Sequence, residues 1–244
     1  MLTWSDTPDG ARWLVEHEGV TSFKLFMAYP GRLYSTDAEI LRAMQVAGEL
    51  GATTMVHAEN GIAIDLLVQQ ALARGDVDPR FHSLTRPSEL EAEATHRATA
   101  LANVAGNVPL YIVHLSSADA LEHVAAARAD GRNVFAETCP QYLYLTLEDT
   151  LARPDFEGAN FLCSPPIRSA HDRGGHGHAA DLWAGLRSDD LAVVSTDTAV
   201  HTARVAANTT RITVRASPDG GRSDVTTELL DPDAWVRASA RVTA

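Results

Sequence analysis

Four residues of this sequence have types and positions that could do chemistry: Lys24, His57, His114 and Asp197. The chain carries 20 basic residues, and Lys24 is the only lysine among them. Because it lies within an apolar run, burial can remove its proton and leave a nucleophilic amine, whereas arginine keeps its charge. The alternative is a lysine near a strand end whose ammonium group extends to solvent. Lys24 taken alone does not decide between the two.

The other three residues each lie where an apolar, β-prone run ends. Imidazole and carboxylate groups suit zinc, and they suit manganese or nickel less exclusively. A single histidine after a strand is more often a hydrogen-bonded structural residue than a ligand. Two histidines, an aspartate and an isolated lysine in equivalent positions favour a metal site over that structural explanation.

The elements that must position these residues are strands alternating with helices. Strand patterns cover residues 20–29, 52–60, 108–115, 133–138 and 191–197. The alternation predicts parallel βαβ units, and the nearly continuous apolar strands predict a sheet covered on both faces. In a (β/α)₈ barrel the carboxyl ends of the strands carry the active site. The four candidate residues lie in such strands or at those ends.

Capping and glycine signals delimit the helices between the strands. Thr36 and Glu39 form a capping-box pattern before a helix that Gly51 ends. A proline and a serine at 87 and 88 open a long alanine- and glutamate-rich helix, and Ser116 is the predicted cap of the next. Further helices are predicted within residues 1–19, at 61–74 and at 180–186, with loops at 76–86 and 139–175.

Composition and charge exclude several classes of function. A net charge of −12 argues against binding to a nucleic-acid backbone. No apolar run approaches the roughly 20 residues that cross a bilayer, and the start has no signal-peptide pattern. Cys139 and Cys163 have neither a disulfide framework nor metal-ligand spacing. These features predict a reduced, cytoplasmic protein.

Six motifs, in order between residues 16 and 197, resemble the dihydropyrimidinase and hydantoinase family of cyclic amidohydrolases. They are Ser-Phe-Lys-Leu-Phe-Met-Ala-Tyr (22–29), Val-His-Ala-Glu-Asn (56–60), Val-His-Leu-Ser-Ser (113–117), Glu-Thr-Cys-Pro-Gln-Tyr-Leu (137–143), Cys-Ser-Pro-Pro-Ile-Arg (163–168) and Val-Ser-Thr-Asp (194–197). The resemblance implies hydrolysis of a cyclic amide C–N bond, as in the ring opening of dihydropyrimidines or hydantoins.

The resemblance also implies a role for each candidate residue. Lys24 is carboxylated by CO₂ and bridges two zinc ions, while His57 and His114 ligate one of them. Asp197 ligates the other zinc and acts as general base. Tyr29 donates a hydrogen bond to the oxyanion, and Ser164 binds the amide of the substrate. Two carboxylates, Glu59 and Glu137, are interpreted as partners of histidine N–H groups or of the backbone.

The pattern departs from the family in two places. The His-x-His pair of the family's first strand is not found upstream, and we interpret His176-Gly177-His178 as an exposed loop coincidence. After Asp197 the resemblance stops, as a frameshift would cause. We therefore predict an α/β fold at 1–197, a partial (β/α)₈ barrel without its first strands. The tail, 198–244, is expected to be irregular, with a short strand at 212–214 and a helical turn at 233–237.

Several alternatives stay open at this level. Allantoinase and dihydroorotase have similar metal sets, although Tyr29 and the Ser-Pro-Pro sequence favour the dihydropyrimidinase side. A non-catalytic scaffold relative or an inactive fragment are the other candidates. The missing histidine pair predicts fewer than two zinc ions and weak turnover at most. The resemblance further implies a homo-oligomer, with tetramers common among relatives.

Overall fold

The computed structural model describes residues 2–3, 8–173, 176–197, 209–215 and 224–230. By its internal contacts the chain divides into two units, Met1–Thr196 and Asp197–Ala244. The first unit contains a parallel sheet and its helices, and the second contains a β-hairpin.

A six-stranded parallel sheet forms the first unit. Its strands are β1 (Leu2–Thr3), β2 (Ser22–Phe26), β3 (Thr53–His57), β4 (Leu110–Ile112), β5 (Val134–Thr138) and β6 (Val193–Val194). They are hydrogen-bonded in sequence order from β1 to β6. A doubly wound sheet would reverse its order at a switch point, whereas a barrel adds each strand beside the previous one. The sheet therefore follows barrel topology, as the sequence predicts.

Helices connect successive strands throughout the unit. They are α1 (Pro8–Glu18), α2 (Asp37–Glu49), α3 (Gly61–Ala73), α4 (Phe81–Leu84), α5 (Ser88–Val104), α6 (Ala118–Ala129), α7 (Pro140–Tyr144) and α8 (Ala179–Ser188), with a 3₁₀ turn at Glu157–Phe161. The predicted capping box is present, because Thr36 and Glu39 exchange hydrogen bonds at the start of α2. Among the described residues, no helix is long and apolar enough to cross a membrane.

The main core lies between the sheet and the helices packed on it. Strand residues such as Leu25, Val56 and Ile112 are almost fully buried, as are Met44 of α2 and Val124 of α6. The alanine-rich face of α5 is also buried, and small side chains there let this helix pack closely on α6. The core holds the carboxyl ends of β2, β3 and β4 in fixed register.

Four details differ from the sequence-based expectations. The strand Leu2–Thr3, which pairs with β2, lies where only a helix was predicted. The predicted loop 76–86 contains α4, and the final strand is reduced to Val193–Val194. The cap of α6 is Ser117, whose hydroxyl accepts a hydrogen bond from the Ala120 N–H, and not Ser116. Two- to four-residue elements are too short to leave a periodic signal.

The second unit contains an antiparallel pair, β7 (Thr209–Arg215) with β8 (Asp224–Leu230). The predicted strand at 212–214 is confirmed and is longer than expected. Its partner β8 was not predicted. The helical turn predicted at 233–237 lies outside the described residues.

Candidate metal centre and substrate loop

The register of β2 and β3 places Lys24 and His57 on one face of the sheet. Lys24 pairs with Met55 and Phe26 pairs with His57, so Lys24 and His57 are diagonal neighbours. Lys24 is 5% exposed and its Nζ lies 5.3 Å from the centroid of the Phe26 ring. The single lysine of the chain is therefore buried in β2, and the solvent-extended alternative is wrong.

His114 brings a second imidazole to the same place from the end of β4. Its ring centroid lies 4.5 Å from that of His57, in an edge-on arrangement, and both residues are 2% exposed. The backbone of His114 turns sharply here, with a φ of 43°. Positive φ is uncommon for a residue with a side chain, and it is tolerated where the surroundings hold it.

The electrostatics of His114 favour its neutral form. Burial, followed by the nearby charges of His57 and Lys24, holds the pKa of His114 well below its usual range. Its Nδ1 is buried and has no hydrogen-bond partner among the described residues. A neutral imidazole with an unpaired buried nitrogen is the state in which histidine ligates a metal.

His57 is oriented by a carboxylate, as the sequence analysis expected of Glu59. Nε2 of His57 lies 2.7 Å from Oε2 of Glu59, and both side chains are buried. Burial raises the pKa of Glu59, but the hydrogen bond and charge of His57 and the charges of Arg168 and Arg86 outweigh it, so the pKa is lowered. With its Nε2–H donated to Glu59, the neutral form of His57 presents its lone pair on Nδ1.

The prediction for Glu137 is confirmed as well. Its carboxylate accepts hydrogen bonds from the Tyr111 hydroxyl at 2.9 Å and from the backbone N–H of His114 at 3.3 Å. Glu137 therefore supports the turn that carries His114. Both carboxylates beside the histidines hold them in place.

Tyr29 completes this neighbourhood from the turn after β2. Its ring centroid lies 5.1 Å from that of His57, and its φ is 64°. The Tyr29 carbonyl accepts the N–H groups of three residues in the following turn, 32–34. A cavity of about 220 Å³ adjoins Tyr29 and Glu59 and is lined by Arg86 on one side. This volume is below the ~300–1,000 Å³ typical of drug-sized ligand sites, which suits a small ring.

Ser164 lies in the loop between the 3₁₀ turn and α8. Its hydroxyl is 3.4 Å from Nε2 of His82, and that nitrogen is 2.7 Å from the carbonyl oxygen of Cys163. Burial and the charge of Arg86 lower the pKa of His82, whereas the charge of Glu59 opposes them. His82 thus contacts the loop that carries Ser164, residues 163–168.

The remaining predicted ligand, Asp197, is the first residue of the second unit. It follows β6 by three residues and has a φ of 44°. Within the described ranges, no group of three or more histidine, cysteine, aspartate or glutamate side chains is arranged to hold a metal ion. Lys24 is of none of these types, so the centre in the first unit consists of two imidazoles and an amine.

The two histidines of the His176-Gly177-His178 sequence, just before α8, lie in different environments. His176 is exposed as expected, but His178 is buried, and its Nδ1 accepts a hydrogen bond from the N–H of Ala118 at 3.0 Å. The interpretation of this pair as an exposed loop feature is therefore wrong for His178. Its imidazole acts as an acceptor at the first turn of α6, a role that the glycine-rich surroundings in the sequence do not reveal.

Comparison with known proteins gives a consistent result. No protein-family profile matches the chain. The D-hydantoinase of Streptomyces coelicolor is 60% identical over 184 residues, which are 75% of this chain and 38% of that protein. The D-hydantoinase of Geobacillus stearothermophilus is 47% identical over 184 residues, which are 75% of this chain and 37% of that protein. The crystal structure of dihydropyrimidinase from Brevibacillus agri matches with a TM-score of 0.77 and 42% identity, covering 84% of this chain and 44% of that one.

Sequential parallel strands with a buried lysine and two histidines at one edge define an α/β barrel segment of the amidohydrolase type. The chain belongs to the hydantoinase and dihydropyrimidinase family, as these relatives show. It spans about two fifths of the length of the relatives that it matches.

Proposed function

We propose that the protein is part of a metal-dependent hydrolase that opens cyclic amides of the hydantoin or dihydropyrimidine type. The observation that carries the proposal is the buried group of Lys24, His57 and His114, in which His114 Nδ1 has no partner within the described residues. Relatives named D-hydantoinase and dihydropyrimidinase support the substrate class.

The donor set fits zinc. His57 and His114 would hold the ion through their unprotonated nitrogens, and Lys24 would join them after its amine has reacted with CO₂ to form a carbamate. Carboxylation requires a neutral amine, which burial favours, and it converts a cation into an anionic ligand. When bound, zinc supplies Lewis-acid polarisation of a carbonyl and lowers the pKa of water.

The side chains around the centre would divide the remaining tasks. Tyr29 would donate a hydrogen bond to the oxygen on which negative charge develops. Ser164 would bind the amide of the ring, as the family resemblance implies. Asp197 would take a proton from the attacking water and return it to the leaving nitrogen, as general base and then acid.

Three expectations accompany this proposal: cytoplasmic location, homo-oligomeric assembly, and a small cyclic amide as substrate. Allantoinase and dihydroorotase activities are the competing enzymatic candidates, and a non-catalytic scaffold is the competing class. Tyr29, whose ring contacts that of His57, and the Ser-Pro-Pro sequence at 164–166 support the hydantoinase side.

The test is a measurement of zinc binding, lysine carboxylation and turnover on the chain as it stands. We expect zinc to bind, ¹³C-bicarbonate to give a carbamate signal in the ¹³C NMR spectrum, and hydantoin or dihydrouracil to be hydrolysed slowly. Lys24→Arg keeps the positive charge but cannot form the carbamate, so the variant should lose the signal and the hydrolysis. Absence of bound zinc in the folded protein, together with turnover equal to that of Lys24→Arg, would overturn the proposal.

A further inference from the structure

Glu91, Ser116 and Arg168 form a buried polar cluster that the proposed chemistry does not use. They are 2%, 0% and 6% exposed, respectively. Arg168 donates from Nη2 to Oε2 of Glu91 at 2.8 Å and from Nε to the Ser116 hydroxyl at 3.1 Å. Ser116 donates to the Glu91 carboxylate twice, from its hydroxyl and from its backbone N–H, both at 2.7 Å. The three residues thus close a ring of hydrogen bonds.

Each member of the cluster comes from a different part of the fold. Glu91 lies in the first turn of α5, Ser116 follows His114 by two residues, and Arg168 follows Ser164 by four. Ser116 lies within the sequence motif Val113–Ser117, and Arg168 ends the motif Cys163–Arg168. The cluster therefore joins two loops. The His114 loop, residues 113–117, carries a candidate metal ligand, and the Ser164 loop, residues 163–168, carries a candidate substrate-binding residue.

Each loop has other hydrogen bonds, such as those of the Leu115 backbone with Glu137 and Thr138 and that of the Tyr142 hydroxyl with the Pro165 carbonyl. The Ser164 loop is held by the Ser83 hydroxyl, which donates to the carbonyl of Ile167 at 3.0 Å, and by a hydrogen bond from Arg168 to the carbonyl of Arg86. Leu147 donates its N–H to the Arg168 carbonyl at 2.9 Å. None of these contacts joins one loop to the other, whereas the Arg168 side chain does.

A buried ion pair is a poor source of net stability, because the desolvation of both charges offsets their attraction. Apolar residues of similar volume would hold the two loops together at least as strongly. Apolar contacts would not fix the orientation of one loop relative to the other, whereas a guanidinium group that is hydrogen-bonded to a carboxylate and a hydroxyl does. The choice of charged residues indicates that geometry is what the cluster supplies.

We propose that Glu91 and Arg168 are positioning residues, whose ion pair fixes the Ser164 loop relative to the His114 loop and so sets the substrate amide against the metal ligand. This inference deepens the proposed function and rests on it for the identity of the two ligands. The mechanical link between the loops is independent of any metal or substrate.

If the cluster links the two loops, a substitution of one cluster residue should also increase the mobility of the loop that does not contain it. Arg168→Lys keeps the charge but loses the fork, and Glu91→Gln keeps the shape but loses the charge. In Arg168→Lys we expect faster amide hydrogen exchange at residues 113–117, and in Glu91→Gln faster exchange at 163–168. The matched control is Arg97→Lys, which alters the partly exposed ion pairs of Arg97 with Glu93 in the same helix and with Asp37 of α2 and should change neither loop.

Function and folding are separated by two further readouts. Zinc affinity should fall by about tenfold in both cluster variants, as for other residues that orient ligands, while the control keeps the wild-type value. In Arg168→Ala, added guanidinium should restore protection of residues 113–117, and urea at the same concentration should not. A purely structural role would lower the melting temperature without changing zinc affinity and without this rescue.

The outcomes distinguish this inference from the proposed function. If the wild-type chain binds no zinc and its turnover equals that of Lys24→Arg, the proposed function fails, and the exchange data alone still decide whether the loops are coupled. If Arg168→Lys loosens only its own loop, or if Glu91→Gln leaves residues 163–168 as protected as in the wild type, the positioning role is overturned.

Discussion

The pairing of His57 with Glu59 decides which nitrogen of the imidazole is available to a ligand. A hydrogen bond of 2.7 Å between two buried side chains fixes both the ring orientation and the tautomer. The lowered pKa of Glu59 keeps its carboxylate charged at neutral pH, so the bond is charge-assisted. The negative charge also raises the basicity of the opposite nitrogen, the one that would face a metal ion.

Glu59→Gln tests this arrangement at the scale of one side chain. Glutamine can still accept the hydrogen bond but carries no charge, so we expect zinc affinity to fall by about 10- to 100-fold with little change in the fold. Competition with a chromophoric chelator measures the affinity. Glu93→Gln, an exposed carboxylate on α5, is the control and should bind zinc as the wild type does. Equal affinities in the two variants would contradict the orienting role.

The role of a single residue was predictable from the sequence where a neighbouring group needs a hydrogen-bond partner. Glu59 and Glu137 were assigned to histidine and backbone N–H groups from their positions near strand ends, and the structure confirms both. The roles of Ser116 and His178 were not predictable. Adjacent serines offer two equivalent hydroxyls, and only the tertiary position of Glu91 shows why Ser117 caps the helix.

The approach of α3 to β2 shows how one glycine sets the geometry at the scale of elements. Gly61, the first residue of α3, donates its N–H to the carbonyl of Met27 at 2.9 Å. A β-carbon built on Gly61 would lie 2.7 Å from the α-carbon of Ala28 and 3.0 Å from that carbonyl oxygen. The obstacle is backbone, which cannot rotate away. The close approach of α3 also fixes the turn after β2, which contains Tyr29.

Gly61→Ala should therefore force α3 away from the end of β2. We expect a loss of about 1–3 kcal/mol in the free energy of unfolding, the range for overpacked interiors, measured by urea titration. The control is Gly185→Ala in α8, where the new methyl would meet the Leu121 side chain at 2.6 Å. That side chain can move, and alanine favours the helix by up to ~1 kcal/mol, so the control should lose less. A larger loss in Gly185→Ala would contradict this account.

Elements were predictable from the sequence in proportion to their length. The long helices α2, α3 and α5 and the strands β2, β3 and β5 were found within a few residues of their ends, because periodicity, caps and glycines all agree there. The short elements β1, α4 and β6 were missed or overextended. Their existence depends on neighbours in the sheet and loops, and such tertiary pairing leaves no local pattern.

At the scale of the whole molecule, buried histidines make stability depend on pH. Burial and the charge of Arg168 lower the pKa of His178, against the opposing charges of Asp119, Asp172 and Glu91. Burial likewise lowers the pKa of His82, with Arg86 adding to the effect, and that of His123, where His96 adds to it. In the unfolded chain all three return to the ordinary value of about 6.5.

A lowered pKa in the folded state fixes the direction of the effect. As pH falls through about 6.5, the unfolded chain takes up protons before the folded one does, so the free energy of unfolding should fall as well. Urea titrations of the metal-free protein at pH 8 and pH 5.5 measure the difference. His178→Asn keeps an acceptor for the Ala118 N–H but cannot be protonated, so it should narrow that difference, whereas His176→Asn, at an exposed position two residues away, should leave it unchanged. If stability instead rose towards pH 5.5, or if both variants behaved alike, His178 would not be held neutral by its burial at the start of α6.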